Sequence, residues 1–296
     1  MELRVLNYFL MIAREENITR AAQLLHVSQP TLSRQIANLE AELGVKLFIR
    51  QSHKITLTED GLLLRRRAQE MRQLSDKITE EMSSNRDELA GEISIGSGEL
   101  SAMSELAVIM DKFHEQYPLV TFNLQSGNSE DTKLGIEQGL LDLGLLIEPV
   151  DTEKYNFVRM NQHEQWGALV QSDSKLAQLD YLTAHDLAGT SLILSKSRPM
   201  ESEMNHWLGH SLGTIKIVSR YNLLYNSVML VKQGLGNALC LKLDAHYEGI
   251  TFVPLKPTLT YNSVLTWKAD QISSRTVSEF IDFAKKYLKD ISSDEK

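Results

Sequence analysis

Residues 17–48 read NITRAAQLLHVSQPTLSRQIANLEAELGVKLF and carry the clearest structural pattern in the chain. Asn17 suits the N-cap of a short helix and Ser28 the N-cap of a second one, because both side chains can accept hydrogen bonds from first-turn backbone N–H groups. Pro30 falls in the first turn of the second helix, where its missing N–H is not needed. The stretch therefore predicts two helices joined by a tight turn, with the second helix beginning near Gln29.

The second helix has two faces of different chemistry. Apolar residues recur at i, i+4, i+7 and i+11, which predicts a stripe facing a core; they are Leu32, Ile36, Leu39 and Leu43. The opposite face carries Pro30, Thr31, Arg34, Ala37 and Asn38. A helix with such a face can enter the major groove of DNA, where Arg pairs with guanine and Asn with adenine. An ordinary helical hairpin with a solvated face gives the same pattern, so that alternative stays open at this point.

The sequence that follows favours the DNA-binding interpretation. Residues 19–50 lead into KITLTEDG at residues 54–61, and together they resemble the winged helix-turn-helix of the LysR-type transcriptional regulators almost position by position. The resemblance extends over the whole chain, because the downstream patterns occur in the family's order. In that family the second helix is the recognition helix, and residues 50–58 would form the wing. The resemblance implies DNA contacts from Thr19, Arg20, Ser28, Gln29, Pro30, Thr31, Ser33, Arg34, Asn38, Arg50, His53 and Lys54.

The wing also has a local signal. Ile49, Ile55 and Leu57 alternate with other residues as half-buried strand residues do. Residues 51–54 are polar and would form the hairpin tip, from which His53 and Lys54 could reach DNA.

Composition and charge limit the possible functions. The 296 residues are 42% hydrophobic, which is enough for more than one domain. The net charge of −8 is unusual for a DNA-binding protein, but residues 1–90 hold 13 Lys+Arg against 13 Asp+Glu, so the excess lies entirely in the remainder. A neutral N-terminal part can bind DNA if its cations share one surface. Modest affinity per protomer would favour a dimer that occupies two half-sites.

Residue usage also predicts the compartment. The apolar run at residues 5–13 is broken by Asn7, has no basic region before it and leads into charged residues, so it does not resemble a signal peptide. No segment has the length of a membrane span. Cys240 is the single cysteine, which precludes an intrachain disulfide and argues against the two-cysteine redox switches of the family's peroxide-sensing members. We therefore expect a cytoplasmic protein without membrane association, in which Cys240 is a buried small apolar residue.

Residues 59–88 contain no proline and one glycine, which predicts a long helix. Apolar residues recur every seven positions, each followed four positions later by another small or apolar residue; they are Leu64, Met71 and Ile78, then Ala68, Ser75 and Met82. This spacing predicts a dimer seam, although packing on its own domain is the alternative. In the family this is the linker helix, which pairs antiparallel with its copy, so the resemblance implies a homo-oligomer, either dimer or tetramer.

After Gly91 short strands alternate with helices, which predicts an α/β fold with a mostly parallel sheet. The predicted strands are residues 93–95, 120–125, 143–147, 166–170, 191–194, 215–218, 238–241 and 264–268. The predicted helices are residues 105–117, 129–138, 200–208, 226–233 and 274–288. This order resembles the family's effector-binding domain, which is similar to type 2 periplasmic binding proteins and has two lobes.

We expect the following domain organisation. A winged helix-turn-helix DNA-binding domain occupies residues 1–60, and the linker helix occupies residues 61–90. The effector-binding domain occupies residues 91–296, with one lobe formed by residues 91–162 and 265–290 and the other by residues 163–264.

Ligands of such folds bind where strands end and where helix N-termini point into the cleft. The candidate stretches are residues 97–101, 128–129, 147–148 and 195–198, with Asn222 and Tyr225. The candidate effector-contacting residues within them are Ser97, Ser101, Asn128, Ser129, Ile147, Ser195, Ser197, Arg198, Asn222 and Tyr225, together with Glu148 and Lys196. Ser129 matches an effector-contact position of the family, and Arg198 beside a helix start would suit a carboxylate or phosphate. Simple helix capping is the alternative role for each of these residues.

Other chemistry has little support in the sequence. Gly234 and Gly236 imitate part of a dinucleotide fingerprint, but they follow a helix and precede a strand, the reverse of the required order. Glu203, His206 and His210 could share a helical face, but two histidines rarely complete a zinc site. No motif assigns a nucleophile with His and Asp partners. We therefore predict no catalytic residues, no metal and no cofactor.

The sequence thus predicts a DNA-binding transcriptional regulator, not an enzyme. As the resemblance implies, a small-molecule effector bound between two α/β lobes would change the lobe angle and the geometry of the oligomer. The expected partners are double-stranded promoter DNA, an unidentified effector, further copies of this chain and RNA polymerase. The alternative is a cytosolic small-molecule-binding or enzymatic α/β protein with an accessory helical N-terminal region.

Overall fold

The computed structural model describes residues 1–50, 55–83, 88–196, 198–209, 213, 215–270 and 273–294. The chain forms two compact units, Met1–Ser83 and Ser84–Lys296. The elements of the first unit are α1 (Leu3–Glu15), α2 (Ile18–Leu24), α3 (Gln29–Leu43), β1 (Phe48–Arg50), β2 (Ile55–Leu57) and α4 (Glu59–Ser83).

The predicted caps of the helix-turn-helix are confirmed. Asn17 Oδ1 accepts a hydrogen bond of 3.0 Å from the Arg20 N–H at the start of α2. Ser28 Oγ accepts one of 3.3 Å from the Thr31 N–H at the start of α3. Gly44 ends α3 with a φ of +71°, a backbone conformation that glycine adopts without strain. These local interactions set the bounds of α3.

The core of the first unit lies under α3 and α1. Leu32, Ile36 and Leu39 are fully buried, as the apolar stripe predicts, but Leu43 is 40% exposed because the helix ends there. Ile49 is 48% exposed, so its predicted half-buried position is wrong. Phe48 is the inward residue of β1, and successive strand residues point to opposite sides.

The wing forms from two antiparallel strands. Phe48 pairs with Leu57 and Arg50 pairs with Ile55. The predicted tip at residues 51–54 lies outside the described residues.

The long helix α4 has two different apolar regions. Ala68 is fully buried and Leu64 packs against the core of the same unit. Met71 and Ile78 are exposed. The first part of the apolar stripe therefore packs within its own unit, as the alternative interpretation allows, and the second part leaves an apolar face uncovered in the single chain.

The second unit contains fourteen main elements within its described residues. They are β3 (Gly91–Ser97), α5 (Met103–Gln116), β4 (Val120–Ser126), α6 (Ser129–Glu137), β5 (Leu143–Ile147), β6 (Tyr155–Gln171), β7 (Ser191–Ser195), α7 (Arg198–Leu208), β8 (Lys216–Tyr221), α8 (Leu224–Lys232), β9 (Asn237–Leu241), β10 (Ile250–Pro254), β11 (Thr260–Lys268) and α9 (Arg275–Asp294). A short 3₁₀ turn covers Lys175–Gln178.

The sheet of the second unit has the strand order β4-β3-β5-β11-β6-β9-β7-β8, and β10 pairs with β6. β3 is parallel to β4 and β5, and β7 is parallel to β8 and β9. We call β3, β4 and β5 with α5, α6 and α9 the first lobe, and β7, β8 and β9 with α7 and α8 the second lobe. The strands β6 and β11 run between the lobes and are antiparallel to their neighbours. The sheet is therefore mixed, and the expectation of mostly parallel strands holds only within the lobes.

A buried carboxylate marks the place where the chain crosses between the lobes. Glu164 on β6 is fully buried and accepts a hydrogen bond of 2.8 Å from Ser263 Oγ on β11. The Ser101 and Ala102 N–H groups donate to the same carboxylate at 2.9 and 3.0 Å. Ala102 is the N-cap residue of α5 and offers no side-chain cap. Glu164 therefore caps α5 and connects the loop between β3 and α5 to the crossing strands by hydrogen bonds.

Candidate nucleic-acid interface and ligand cleft

The residues expected to read DNA lie on an exposed surface at the start of α3. Gln29, Thr31, Arg34 and Asn38 are exposed, as are Thr19, Arg20, Ser28 and Pro30, and Ser33 is half-buried. Gln29 Nε2 donates a hydrogen bond of 2.9 Å to Ser33 Oγ, one turn further along the helix. Among the described residues Arg34 forms no ion pair, so its guanidinium remains available for a base or phosphate.

The cations of this unit are not equally available. Arg20 Nε lies 2.9 Å from Glu15 Oε2, and Arg14 Nε lies 2.7 Å from the other oxygen of the same carboxylate. Part of the charge of Arg20 is therefore neutralised locally. The Arg50 side chain, and His53 and Lys54 as a whole, lie outside the described residues.

A buried glutamate fastens the wing to α3. Glu40 accepts hydrogen bonds from the Leu47 and Phe48 N–H groups at 2.9 and 3.4 Å, and from Lys46 Nζ at 2.7 Å. Burial alone would raise the pKa of Glu40, but the Lys46 ammonium and the two backbone bonds outweigh it, so the pKa is lowered. The charged form of Glu40 therefore holds β1 in position beside α3.

The second unit contains a cavity of about 80 Å³ between its lobes. The predicted effector-contacting residues that line it are Asn128, Ser129, Ile147, Ser195 and Asn222. They lie at strand ends and helix starts of both lobes, where the topology brings these positions together. Asn128 Oδ1 also accepts a hydrogen bond of 2.8 Å from the Asp131 N–H and so caps α6.

Three of the predicted residues do not line the cavity. Ser97, Ser101 and Tyr225 are not among those that line the cavity. Ser97 is buried and donates to Gly98 O at 2.7 Å, and Tyr225 is exposed. The Ser101 hydroxyl oxygen is buried and has no hydrogen-bond partner within the described part of the chain. Ser197 and the side chain of Arg198 lie outside the described residues.

Further residues line the cavity, among them Glu99, Trp166, Tyr221 and Cys240. Of these four, the sequence placed only Glu99 in a candidate stretch, residues 97–101. Glu99 is the only one with a charge among the described lining residues. Burial raises the pKa values of Cys240 and Tyr221 well above their usual range, which keeps both groups protonated. The Tyr221 hydroxyl donates to Leu239 O at 2.8 Å.

Glu99, an exposed residue at the cavity, makes a contact between the lobes. Its carboxylate accepts a hydrogen bond from the Leu224 N–H at the start of α8. The position before that helix is Leu223, which cannot cap it. That poor capping residue is the sequence signal that could have indicated a partner from elsewhere in the chain.

A second, open groove of about 710 Å³ lies away from this cavity and contains Glu148. Arg159 Nε donates to Glu148 at 3.0 Å and Asn262 Nδ2 donates to it at 2.9 Å. These two bonds, that of Arg159 above all, lower the pKa of Glu148. Glu148 therefore has its own partners and does not line the cleft between the lobes.

Neither unit shows features of a metal site or a membrane span in its described residues. No three side chains of the types that hold metal ions come together there. Glu203 instead accepts a hydrogen bond from the Tyr261 hydroxyl at 2.8 Å. No described helix combines the length and the apolar character needed to cross a membrane.

Two family profiles match the chain. The profile described as "Bacterial regulatory helix-turn-helix protein, lysR family" matches residues 3–62, and the one described as "LysR substrate binding domain" matches residues 86–289. Each match lies within one compact unit of the structure, and the first of them ends within α4.

Similar proteins come from several bacteria. The uncharacterized HTH-type transcriptional regulator YwbI of Bacillus subtilis is 28% identical over the full length of both chains. YybE of the same organism, also uncharacterized, is 32% identical over 66% of this chain and 67% of its own. The HTH-type transcriptional regulator IlvY of Escherichia coli is 36% identical over 50% of each chain.

Solved structures share the fold over nearly the whole chain. CbnR in complex with its target DNA matches 97% of this chain and 99% of its own, with a TM-score of 0.77 and 21% identity. A point mutant of full-length BenM matches 100% of this chain and 97% of its own, with a TM-score of 0.57 and 23% identity.

Proposed function

Because this chain belongs to the LysR family of bacterial transcriptional regulators, we propose that it reads promoter DNA with α3 and the wing under the control of a small molecule held between the lobes of its second unit. The first unit is the DNA-binding helix-turn-helix of the family, and the second is its effector-binding domain. The observation that carries the proposal is the exposed, polar start of α3, with Arg34 unpaired among the described residues.

The proposed DNA contacts follow from the exposed chemistry of this surface. Arg34 reads a guanine edge, and Asn38 one turn later reads an adjacent base. Ser28, Thr31 and the N-terminus of α3 bind phosphate, because first-turn N–H groups and the helix dipole favour an anion. The wing residues Arg50, His53 and Lys54 remain proposed contacts on the basis of the resemblance alone.

Two copies of the reading unit are proposed to act together. The uncovered apolar face of α4 includes Met71 and Ile78, and a second copy of α4 would cover it. A homo-oligomer of this kind places two copies of α3 on two half-sites and compensates for the modest cationic charge of each unit. Whether it is a dimer or a tetramer depends on further contacts.

The cavity between the lobes is the proposed effector site. It combines the polar groups of Asn128, Ser129 and Asn222 with the apolar surface of Trp166 and Ile147, the mixture that small-molecule sites use. An effector acts by binding one lobe arrangement more tightly than another, and the oligomer transmits that difference to the DNA-reading units. Arg198 remains a proposed contact for an anionic group.

We further propose a cytoplasmic location, where the chain meets DNA and RNA polymerase, and no catalytic activity. Cys240 is the one thiol that borders the cavity, and its raised pKa leaves it protonated and a poor nucleophile.

A mobility-shift assay on the DNA immediately upstream of the protein's own gene tests this function. Binding should weaken steeply with salt, as phosphate contacts require. Arg34→Ala should lose about 1–3 kcal/mol of specific binding free energy. Arg4→Ala is the matched control, because Arg4 is an exposed arginine on α1 that pairs with Glu2. A folded Arg34→Ala protein with wild-type affinity would show that α3 does not read this DNA.

A further inference from the structure

The loop between β3 and α5 reaches across the cleft. Glu99, on this loop of the first lobe, accepts a hydrogen bond from the Leu224 N–H, the first residue of α8 on the second lobe. The N-cap position of α8 is Leu223, whose side chain makes no cap bond. The first N–H groups of a helix need an acceptor, and the N-terminus favours negative charge. The first lobe therefore supplies the cap that α8 lacks.

A second helix that begins at the cavity, α6, has a local cap. The N-terminus of α6 is capped by Asn128, the residue directly before it. That bond lies within the first lobe and does not depend on where the second lobe is. Of these two caps, the one on α8 joins the two lobes and the one on α6 does not, so the two helix starts provide a matched pair for comparison.

The charge of Glu99 lies against the second lobe. After burial, this charge is the next largest cause of the raised pKa of Tyr247, and it also contributes to the raised pKa of Tyr221. Both tyrosines follow the lobe-crossing strand in the chain and belong with the second lobe's elements. The carboxylate thus interacts with several groups of the lobe that it does not belong to.

The loop that carries Glu99 is fixed at its other end. Two and three residues after Glu99, the Ser101 and Ala102 N–H groups donate to the fully buried Glu164 on the crossing strand β6. This attachment holds the backbone two residues beyond Glu99 to the strands between the lobes. A movement of α8 away from those strands would therefore lengthen the bond between Glu99 and Leu224.

We propose that Glu99 is an interlobe latch: its bond to Leu224 holds the cleft closed, and its release is a required step of opening. The latch rests on the proposed function only in taking this cleft as the effector site. An effector that binds better to the open cleft must supply the free energy of this bond. The bond also connects the position of the second lobe to the loop that precedes α5.

Three variants of the full-length protein separate a latch from an ordinary helix cap. Glu99→Ala removes the carboxylate. Leu223→Asp gives α8 its own cap and places a like charge beside Glu99, so it weakens the latch while keeping the helix capped. Asn128→Ala removes a cap that lies within one lobe and is the matched control.

The distance between the lobes is the main measurement. Spin labels on Glu115→Cys in α5 and Lys216→Cys in β8 report it by double electron–electron resonance, with labelled protomers diluted into unlabelled protein. Both positions are exposed, and Cys240 is the only native cysteine and is buried, so labelling is selective. Glu99→Ala and Leu223→Asp should both shift the distribution toward longer distances, whereas Asn128→Ala should not.

Hydrogen exchange in the first turn of α8 supplies the second measurement. It should be roughly tenfold faster in Glu99→Ala, because one hydrogen bond to a charged group at a partly exposed site has about that effect. In Leu223→Asp it should not be faster than in the wild type. Asn128→Ala should accelerate exchange only at α6.

Two results would overturn the latch. One is a wild-type distance distribution in Glu99→Ala. The other is an equal shift in Asn128→Ala, which would mean that the loss of any helix cap loosens the lobes. Neither measurement uses DNA or an effector, so a failed latch leaves the regulatory function standing, and a failed mobility shift leaves the latch standing.

Discussion

Replacing Glu40 should loosen the wing from the recognition helix. Glu40 is 5% exposed, and its carboxylate accepts the N–H groups of Leu47 and Phe48 and pairs with Lys46. Leu47 is 1% exposed, and no other described side chain accepts a hydrogen bond from its N–H. Glu40→Ala therefore leaves a buried backbone donor without its acceptor.

The magnitude follows from the three contacts. An unpaired buried N–H costs about 1–3 kcal/mol. The Lys46 side chain is 79% exposed, and such a pair contributes about 0–1 kcal/mol. The bond to Phe48 is long at 3.4 Å and adds little. We expect Glu40→Ala to destabilise the first unit by about 2–3 kcal/mol, and Glu40→Gln by about 1 kcal/mol, because glutamine keeps an acceptor but loses the charge.

Urea unfolding with two optical probes provides the assay. All three tryptophans, Trp166, Trp207 and Trp267, lie in the second unit, so tryptophan fluorescence reports that unit alone. Circular dichroism at 222 nm also follows the four helices described in the first unit. The variants should shift the circular dichroism transition of the first unit and leave the fluorescence transition unchanged, which makes fluorescence an internal control.

The effect should depend on pH in a defined direction. The pKa of Glu40 is lowered in the folded protein from 4.5. A lowered folded pKa means that the charged form stabilises the fold above the unfolded pKa and that this contribution is lost as the pH falls through the folded value. The gap in stability between wild type and Glu40→Gln should therefore be full at pH 7 and shrink below about pH 4.5. An equal gap at pH 7 and pH 3, or a Glu40→Ala protein as stable as wild type, would refute the proposed attachment.

Two further predictions concern the first unit. Ile78 is 59% exposed on α4, so Ile78→Asp should weaken self-association by several kcal/mol, about what burying an unpaired carboxylate costs. Asp76→Ala, an exposed position on the same helix, is the control. Light scattering at micromolar concentration measures the mass, and an unchanged oligomer would place the interface elsewhere. Gly44→Ala should destabilise the first unit by about 1–2 kcal/mol because of its φ of +71°, although no atom outside its chain neighbours lies within 4 Å of the added methyl group. Urea unfolding followed by circular dichroism would contradict this if the midpoint did not move.

The helix-turn-helix could be predicted closely because its signals are local. Asn17, Ser28 and Gly44 act within three or four residues of their own positions, so the sequence around them contains the whole interaction. Leu43 and Ile49 were misjudged for a related reason. A periodic pattern predicts burial for every apolar residue that fits it, including the last one. The actual exposure of that last residue depends on where the chain leaves the core.

The crossing strands were harder to predict because their pattern is set by distant partners. The sequence predicted β6 only at residues 166–170, whereas the strand begins at Tyr155, and β10 was not predicted at all. The missed part contains Glu164, a fully buried carboxylate whose partners are 62, 63 and 99 residues away. A charged residue within a strand looks like a loop or a solvated edge until these partners are known.

The cleft also contains features that could be predicted from the sequence and features that depend on distant partners. The rule that ligands lie at strand ends and helix starts pointed to Asn128, Ser129 and Ser195, which line the cavity, because topology alone brings such positions together. Their contact with an effector stays a prediction. Glu99 lies within the predicted stretch at residues 97–101, but its bond to Leu224 was not predicted, since that partner is 125 residues away.

A helix that begins without a capping residue is nevertheless informative. In the second unit both α5 and α8 start behind residues that cannot cap them, Ala102 and Leu223. Both receive a carboxylate from another element, Glu164 for α5 and Glu99 for α8. Since a buried helix start needs an acceptor, a missing local cap implies a distant one, and both distant acceptors here lie where the lobes join or meet. Among the described helix starts of the second unit, the two with poor caps thus mark contacts where the lobes join or meet.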